Sequence, residues 1–193
     1  VSDSQRMGDP LLERTRRLLT DYLTFCAREP GTPEPPPGST EAALLRSVAG
    51  EVQENYQEFF SSFLGYQGNR LELVTRMVDV VLSDTINWGR LVLVLTFAGT
   101  LLKQGPCKAT KQKRRGRGNQ SQVTRDCQLI VDFLCSRILG QHRSWLEAQD
   151  GWDGFCDFFK SPFPLCFWRL VIKTLLYCLI ATATLYVWKQ FRF

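Results

Sequence analysis

Asn87-Trp88-Gly89-Arg90, running on into Leu91-Val92-Leu93-Val94-Leu95-Thr96-Phe97-Ala98-Gly99-Thr100-Leu101-Leu102, is the stretch that decides the fold. From Leu91 to Leu102 there are twelve residues without a charge, apolar nearly all round. A span needs about 20 such residues, so this run is too short to cross a bilayer, yet it is too hydrophobic for a surface helix. It is expected to be the central helix of a bundle. Its opening is odd. Asn87 is a good N-cap, but Gly89 is a poor helix former, and Arg90 puts a cation in the first turn, where the macrodipole is already positive. That placement disfavours the helix by up to ~1 kcal/mol unless a carboxylate compensates. The carboxylate is either internal, with Asp84 the candidate, or brought by a partner. In the second case the four residues describe a docking notch: a cap, an aromatic wall, a clear space and a fork suited to a bidentate carboxylate.

Upstream, three amphipathic helices are expected to wrap this core. Asp9-Pro10 opens the first, an N-cap followed by proline, and Leu11, Leu12, Thr15, Leu18, Leu19, Tyr22, Leu23 and Cys26 share its apolar face. Five of the eight residues from Pro30 to Pro37 are proline, so 30–38 reads as an exposed linker. A polyproline ligand is the sharper alternative, but no flanking basic residue supports it. Ser39-Thr40-Glu41 opens a second helix expected to reach about Leu64, with Leu44, Leu45, Val48, Val52, Tyr56, Phe59, Phe60 and Phe63 on one face. Gly65 and Gly68 end it. Leu71, Val74, Met77, Val78, Val81 and Leu82 repeat the helical period in a third. Downstream, 103–125 reads as a basic loop. Helix resumes from Asp126 to Leu139 with Leu129, Ile130, Phe133, Leu134, Ile138 and Leu139 inward, and two short helices follow around Trp145 and from Trp152 to Phe159. No alternating strand pattern occurs. The fold class is all-α, with one helical domain over 9–160.

The chemistry expected of this chain is not catalytic. It has 193 residues, seven cysteines without a CxxC pair, and a single histidine. An odd cysteine count without regular spacing argues against a disulfide framework or a zinc site. Cys135 and His142 stand two helical turns apart, ~10 Å along an axis, and Cys135 reads better as a small core hydrophobe; His142 is expected to face solvent near a helix end. No Gly-rich phosphate loop, HExxH or GxSxG is present. The reading is therefore not an enzyme, with no catalytic residue, metal, cofactor or small-molecule substrate. The net charge of +5 is local, because residues 103–125 hold eight Lys/Arg and no acid. The KQKRRGR run at 111–117 is a solvated loop or a contact for anionic lipid or RNA, but no aromatic side chain interleaves for base stacking, so nucleic acid is disfavoured.

One membrane signal lies at the far end. Leu170 to Trp188 is 19 residues with Lys173 the sole charge, and at about 1.5 Å per residue such a helix matches a hydrocarbon core. Trp168 and Trp188 sit at its ends, and Arg169, Lys189 and Arg192 flank it. Pro162 and Pro164 mark a hinge. A single C-terminal transmembrane helix over 168–190 is expected to bind lipid and hold the domain on the cytosolic face of an intracellular membrane.

Asn87-Trp88-Gly89-Arg90 resembles the first homology region of the Bcl-2 family of apoptosis regulators. Trp145-Leu146 with Gly151-Trp152-Asp153-Gly154-Phe155 resembles the second, Leu11 to Leu23 resembles the N-terminal homology helix, and the tail lies where that family carries an anchor. CAREPGTPEP (26–35), FAGTLL (97–102) and GWDGFCDFFKSPFPLCFW (151–168) look like one mammalian branch of it. The resemblance implies a bundle of about eight helices around a central hydrophobic hairpin, Leu91–Leu102 with Leu129–Leu139. It implies a groove that receives an amphipathic death helix, four apolar anchors plus an aspartate. Arg90 would meet the aspartate, Asn87 assist and Gly89 permit close approach; Val52, Tyr56, Phe60, Met77, Val81, Val92 and Phe97 would form the walls, each with core packing as the alternative. The implied partners are pro-apoptotic family proteins, Bax/Bak-like effectors and Bim-like death-helix-only proteins. The implied role is restraint of mitochondrial outer-membrane permeabilisation, at mitochondria or endoplasmic reticulum. The alternatives are a pro-apoptotic member acting at the membrane, or a tail-anchored scaffold whose basic loop binds lipid or RNA. Two departures stand out. Gly50 occupies the place of the aspartate in the chain's own death-helix register, Leu45 to Val52. Asp150 stands where the family usually has glycine, a turn or cap position from which little effect is expected.

Overall fold

The computed structural model describes residues 9–83, 85–103 and 116–160. Helix α1 spans Pro10–Ala27; the Asp9 carboxylate accepts from the Leu11 N–H at 3.2 Å and Pro10 occupies the first turn. Its face from Thr15 through Leu18, Leu19, Tyr22 and Leu23 to Cys26 is buried, and Arg28 turns extended beyond its end. Residues 30–38 are exposed and without regular structure, as the proline content requires. Helix α2, Thr40–Asn55, is capped by the Ser39 hydroxyl, which accepts from the Ala42 N–H at 3.2 Å.

The second helix does not run to Leu64. It breaks at Tyr56 (φ −126°, ψ 38°), and a five-residue helix α3, Gln57–Ser61, follows. The break lies in a polar run, Gln53-Glu54-Asn55-Tyr56-Gln57-Glu58, where no apolar face holds the axis straight. Re-aiming the chain there lets Phe60 enter the core while Phe59 and Phe63 turn to Phe97. Gly65, at φ +71°, ends the turn that follows. Helix α4, Arg70–Val81, starts on Asn69, whose side chain accepts from the Glu72 N–H at 3.1 Å.

Helix α5, Trp88–Leu102, is the charge-free stretch, and every residue from Leu91 to Leu102 is buried. Helices α1, α2 and α4 pack on it, together with α6, Gly116–Gln141. The helical part of the supposed basic loop thus begins at Gly116, ten residues earlier than expected. Val123 and Cys127 carry the buried stripe of Ile130, Val131, Leu134, Cys135 and Ile138 backward by two turns, so burial extends the helix through a polar sequence. Leu129, expected inward, is 46% exposed, since it lies off that stripe. The pair α5 and α6 is unequal: α5 is enclosed, whereas α6 is buried along one side only. Two short helices, α7 (Arg143–Ala148) and α8 (Gly151–Lys160), close the end. Asp150 and Gly151 join them in the left-handed region at φ +56° and +60°. The eight helices include no strand among the described residues.

Polar ties fix the packing. The Trp152 indole N–H donates to the Thr15 hydroxyl at 2.9 Å inside the core, and Trp88 stands edge-on to Trp145 and Phe155 at 4.7 and 5.5 Å between centroids. Buried Arg70 donates to the carbonyls of Tyr66 (2.7 Å) and Leu101 (2.9 Å) and to Asp126 (2.6 Å), joining the α3–α4 turn, the end of α5 and α6. Among the described residues no helix is long and apolar enough to cross a membrane; the expected anchor over 168–190 lies outside them.

Candidate partner-helix groove

At the start of α5 the expected Asn87 cap is present, together with one unforeseen contact. The Asn87 carboxamide oxygen accepts from the Arg90 backbone N–H at 2.9 Å, so Asn87 is spent on capping. Arg90 is half-buried, and its Nη1 donates to the Thr85 carbonyl at 2.7 Å and the Val81 carbonyl at 3.3 Å. Val81 is the last residue of α4. The cation that opposes the dipole of α5 therefore sits on the negative end of α4, which the order of residues alone does not reveal. Asp84, the internal carboxylate considered for it, lies outside the described residues. Gly89 is buried beside Trp88.

The supposed walls divide by depth. Met77 and Tyr56 are half-buried, whereas Val52, Phe60, Val81, Val92 and Phe97 are buried in the free protein. Phe97 shares a face of α5 with Arg90, seven residues away and about 10 Å along the axis. It is covered by α3 and the turn after it: the Phe63 ring meets it edge-on at 5.0 Å and Phe59 stands at 6.4 Å. Phe59 and Phe63, absent from the expected walls, are thus the aromatic side chains that cover Phe97. Their spacing of four was the signal for a shared face; the break at Tyr56 that points them there was not visible.

Helix α4 supplies the uncovered flank. At 100° per residue its buried face is centred on Arg70, Val74, Val78 and Val81, and Asp79 on one side pairs with Arg137 of α6 at 2.6 Å. On the other side Leu73, Met77 and Val80 follow at i, i+4 and i+7; the first two are half-buried and Val80 is 54% exposed. This apolar flank leads to the corner held by Arg90, which joins an amphipathic surface to a guanidinium fork. Such an arrangement suits a helix with apolar anchors and one carboxylate.

The family model for apoptosis regulator proteins of the Bcl-2 family matches residues 45–152. Bcl-2-like protein 10 of Rattus norvegicus is 58% identical over 186 residues, covering 95% of this chain and 99% of the relative. The Bcl-B (Diva/Boo) branch, which the stretches at 26–35, 97–102 and 151–168 resemble, is the branch of that relative. A solution structure of a divergent Bcl-2 protein superposes with a TM-score of 0.66 at 61% identity, covering 85% of this chain and 96% of that one. The crystal structure of the zebra-fish pro-survival protein NRZ in complex with a Bad BH3 segment gives 0.58 at 28% identity, covering 77% and 94%. With the eight helices of its described residues in that arrangement and its homology across nearly the whole length, this chain belongs to the Bcl-2 family of apoptosis regulators.

Proposed function

We propose that this chain is a pro-survival regulator that sequesters the amphipathic death helix of pro-apoptotic partners, Bax/Bak-like effectors and Bim-like proteins, in the groove bounded by α2, α3, α4 and the start of α5. The observation that carries the reading is the uncovered apolar flank Leu73–Met77–Val80 ending at the half-buried fork of Arg90. The likeness to a pro-survival protein held in a complex with a BH3 segment supports it. Arg90 receives the aspartate, Asn87 holds the first turn of α5 in place, and Gly89 leaves room for the incoming backbone. Met77 and Tyr56 contact the anchors directly, while Val52, Phe60, Val81, Val92 and Phe97 lie beneath. Seating an anchor on Phe97 requires Phe59 and Phe63 to move with α3, and a helix of five residues with no side-chain cap is the cheapest element to shift.

Residues 168–190 hold the domain at the mitochondrial outer membrane or endoplasmic reticulum in this reading, and deleting 165–193 releases it to the soluble fraction. The groove is tested by titrating the full chain, in non-ionic detergent, with a death-helix peptide. Arg90→Ala weakens binding ten- to a hundred-fold, since a desolvated charge-assisted bond is worth ~1.5–3 kcal/mol. Alanine at the peptide's aspartate costs the same, and the two changes together cost little more than either. Additive losses would show that the two groups never meet.

A further inference from the structure

The two walls of the groove differ in charge. From Ser47 to Asn69 the chain has no Lys or Arg, and its acids are Glu51, Glu54 and Glu58. All three are exposed, and among the described residues none meets a cation within ion-pair distance. On the α4 wall the charges cancel locally, Arg76 on Glu72 at 2.5 Å and Asp79 on Arg137 at 2.6 Å. The flank of α2 that faces α1 and α5 is marked by Arg46, which pairs with Asp21 at 2.7 Å, and by Gln53, which donates to Thr100 at 3.0 Å. Glu51 lies about 160° around the helix from Gln53, on the side away from α1. Glu54 and Glu58 follow within one and two turns, across the break at Tyr56. The border made by α2 and α3 therefore carries three acids without an ion-pair partner among the described residues, with Lys103 reaching α2 only at Gln53, on the flank opposite Glu51; the α4 border is neutral, and Arg90 is a cation at one end.

Resting on the groove reading, we infer that the preferred occupant is an amphipathic helix with lysine or arginine on the flank that meets α2 and α3, and its aspartate at the Arg90 end. Apolar anchors provide the burial common to all such helices. The acidic border selects among them, because like charges brought within a Debye length of about 8 Å repel and opposite ones speed encounter. Exposed pairs are individually weak, so the selection is graded and fades as salt rises.

Three synthetic helical peptides test this, identical in their four apolar anchors and aspartate and differing only at three flank positions: all lysine, all glutamine or all glutamate. Titrated against the full chain in non-ionic detergent at low salt, the lysine peptide is expected to bind roughly ten-fold tighter than the glutamate one, mainly through association rate, with glutamine between. The spread shrinks at high salt, and the triple variant E51Q/E54Q/E58Q, whose changes are all at exposed positions, removes most of it. Equal affinities for the three peptides, or a spread that survives in the triple variant, overturn the inference while leaving the groove in place. Failure of all three to bind overturns the groove reading itself, and this inference with it.

Discussion

Gly154 has no room for a side chain: a Cβ there would stand 1.7 Å from the Gln149 carbonyl oxygen, which is backbone and cannot turn aside. Gly154→Ala should destabilise the protein by on the order of 2 kcal/mol or more, read as a lower urea midpoint at unchanged slope. Arg90 has a stabilising role besides any role in binding. Because its Nη1 engages the Val81 and Thr85 carbonyls, Arg90→Ala uncaps α4 and should cost about 1 kcal/mol in thermal unfolding of the free protein, with Arg90→Lys losing less. His142 does not simply face solvent, since its Nε2 is buried without a hydrogen-bond partner among the described residues. Burial first, and then Arg137, lower its pKa from the ordinary value of 6.5. Between the two pKa values the unfolded chain binds a proton that the folded one refuses, so stability is whole above about pH 6.5 and falls as the pH drops through that window. His142→Gln should flatten this slope in unfolding experiments at pH 7.5 and 5.5, and since the chain has one histidine the effect can be assigned.

At the level of elements, α2 turns the face of its own death-helix register inward: Leu45, Val48, Ala49 and Val52 are all buried. A Cβ at Gly50 would stand in open space, away from the neighbouring helices, so a side chain there starts outside the core. The helix can therefore be restored chemically while remaining hidden structurally. A peptide of residues 40–59 should bind a pro-survival partner weakly and its G50D form more tightly, while the folded full-length G50D chain should bind no better than the parent. Calorimetric titration of both peptides and both proteins checks this; tight binding by the parent peptide would show that the aspartate matters less than the apolar face. The break between α2 and α3 and the early start of α6 have a common origin. Apolar spacing in a sequence shows which residues share a side of a straight helix, but whether that helix stays straight depends on what its side packs against. Phe97 draws Phe59 and Phe63 to it, and the core draws Val123 and Cys127.

For the molecule as a whole, Arg70 joins three segments distant in sequence from inside the core, with its side chain 4% exposed and Asp126 at 20%. Arg70→Ala leaves the Asp126 carboxylate and two carbonyls without their donor and should cost about 3–5 kcal/mol, whereas R70M/D126L, which removes the charge pair together, should cost clearly less. Chemical denaturation of the two variants distinguishes a buried pair from a surface one. The sequence by itself determined the helical class, the central position of Leu91–Leu102 and the caps at Asp9, Ser39 and Asn87, because these follow from local periodicity and from side-chain chemistry within a few residues. It also marked Arg90 as a cation in an unfavourable place. Only the tertiary structure decided how that cation is satisfied, which aromatic rings cover Phe97, which flank of α4 stays open and where Arg70 lies. Each of these is a contact between segments far apart in the chain, and the free energy of such contacts depends on distances that helical spacing does not contain.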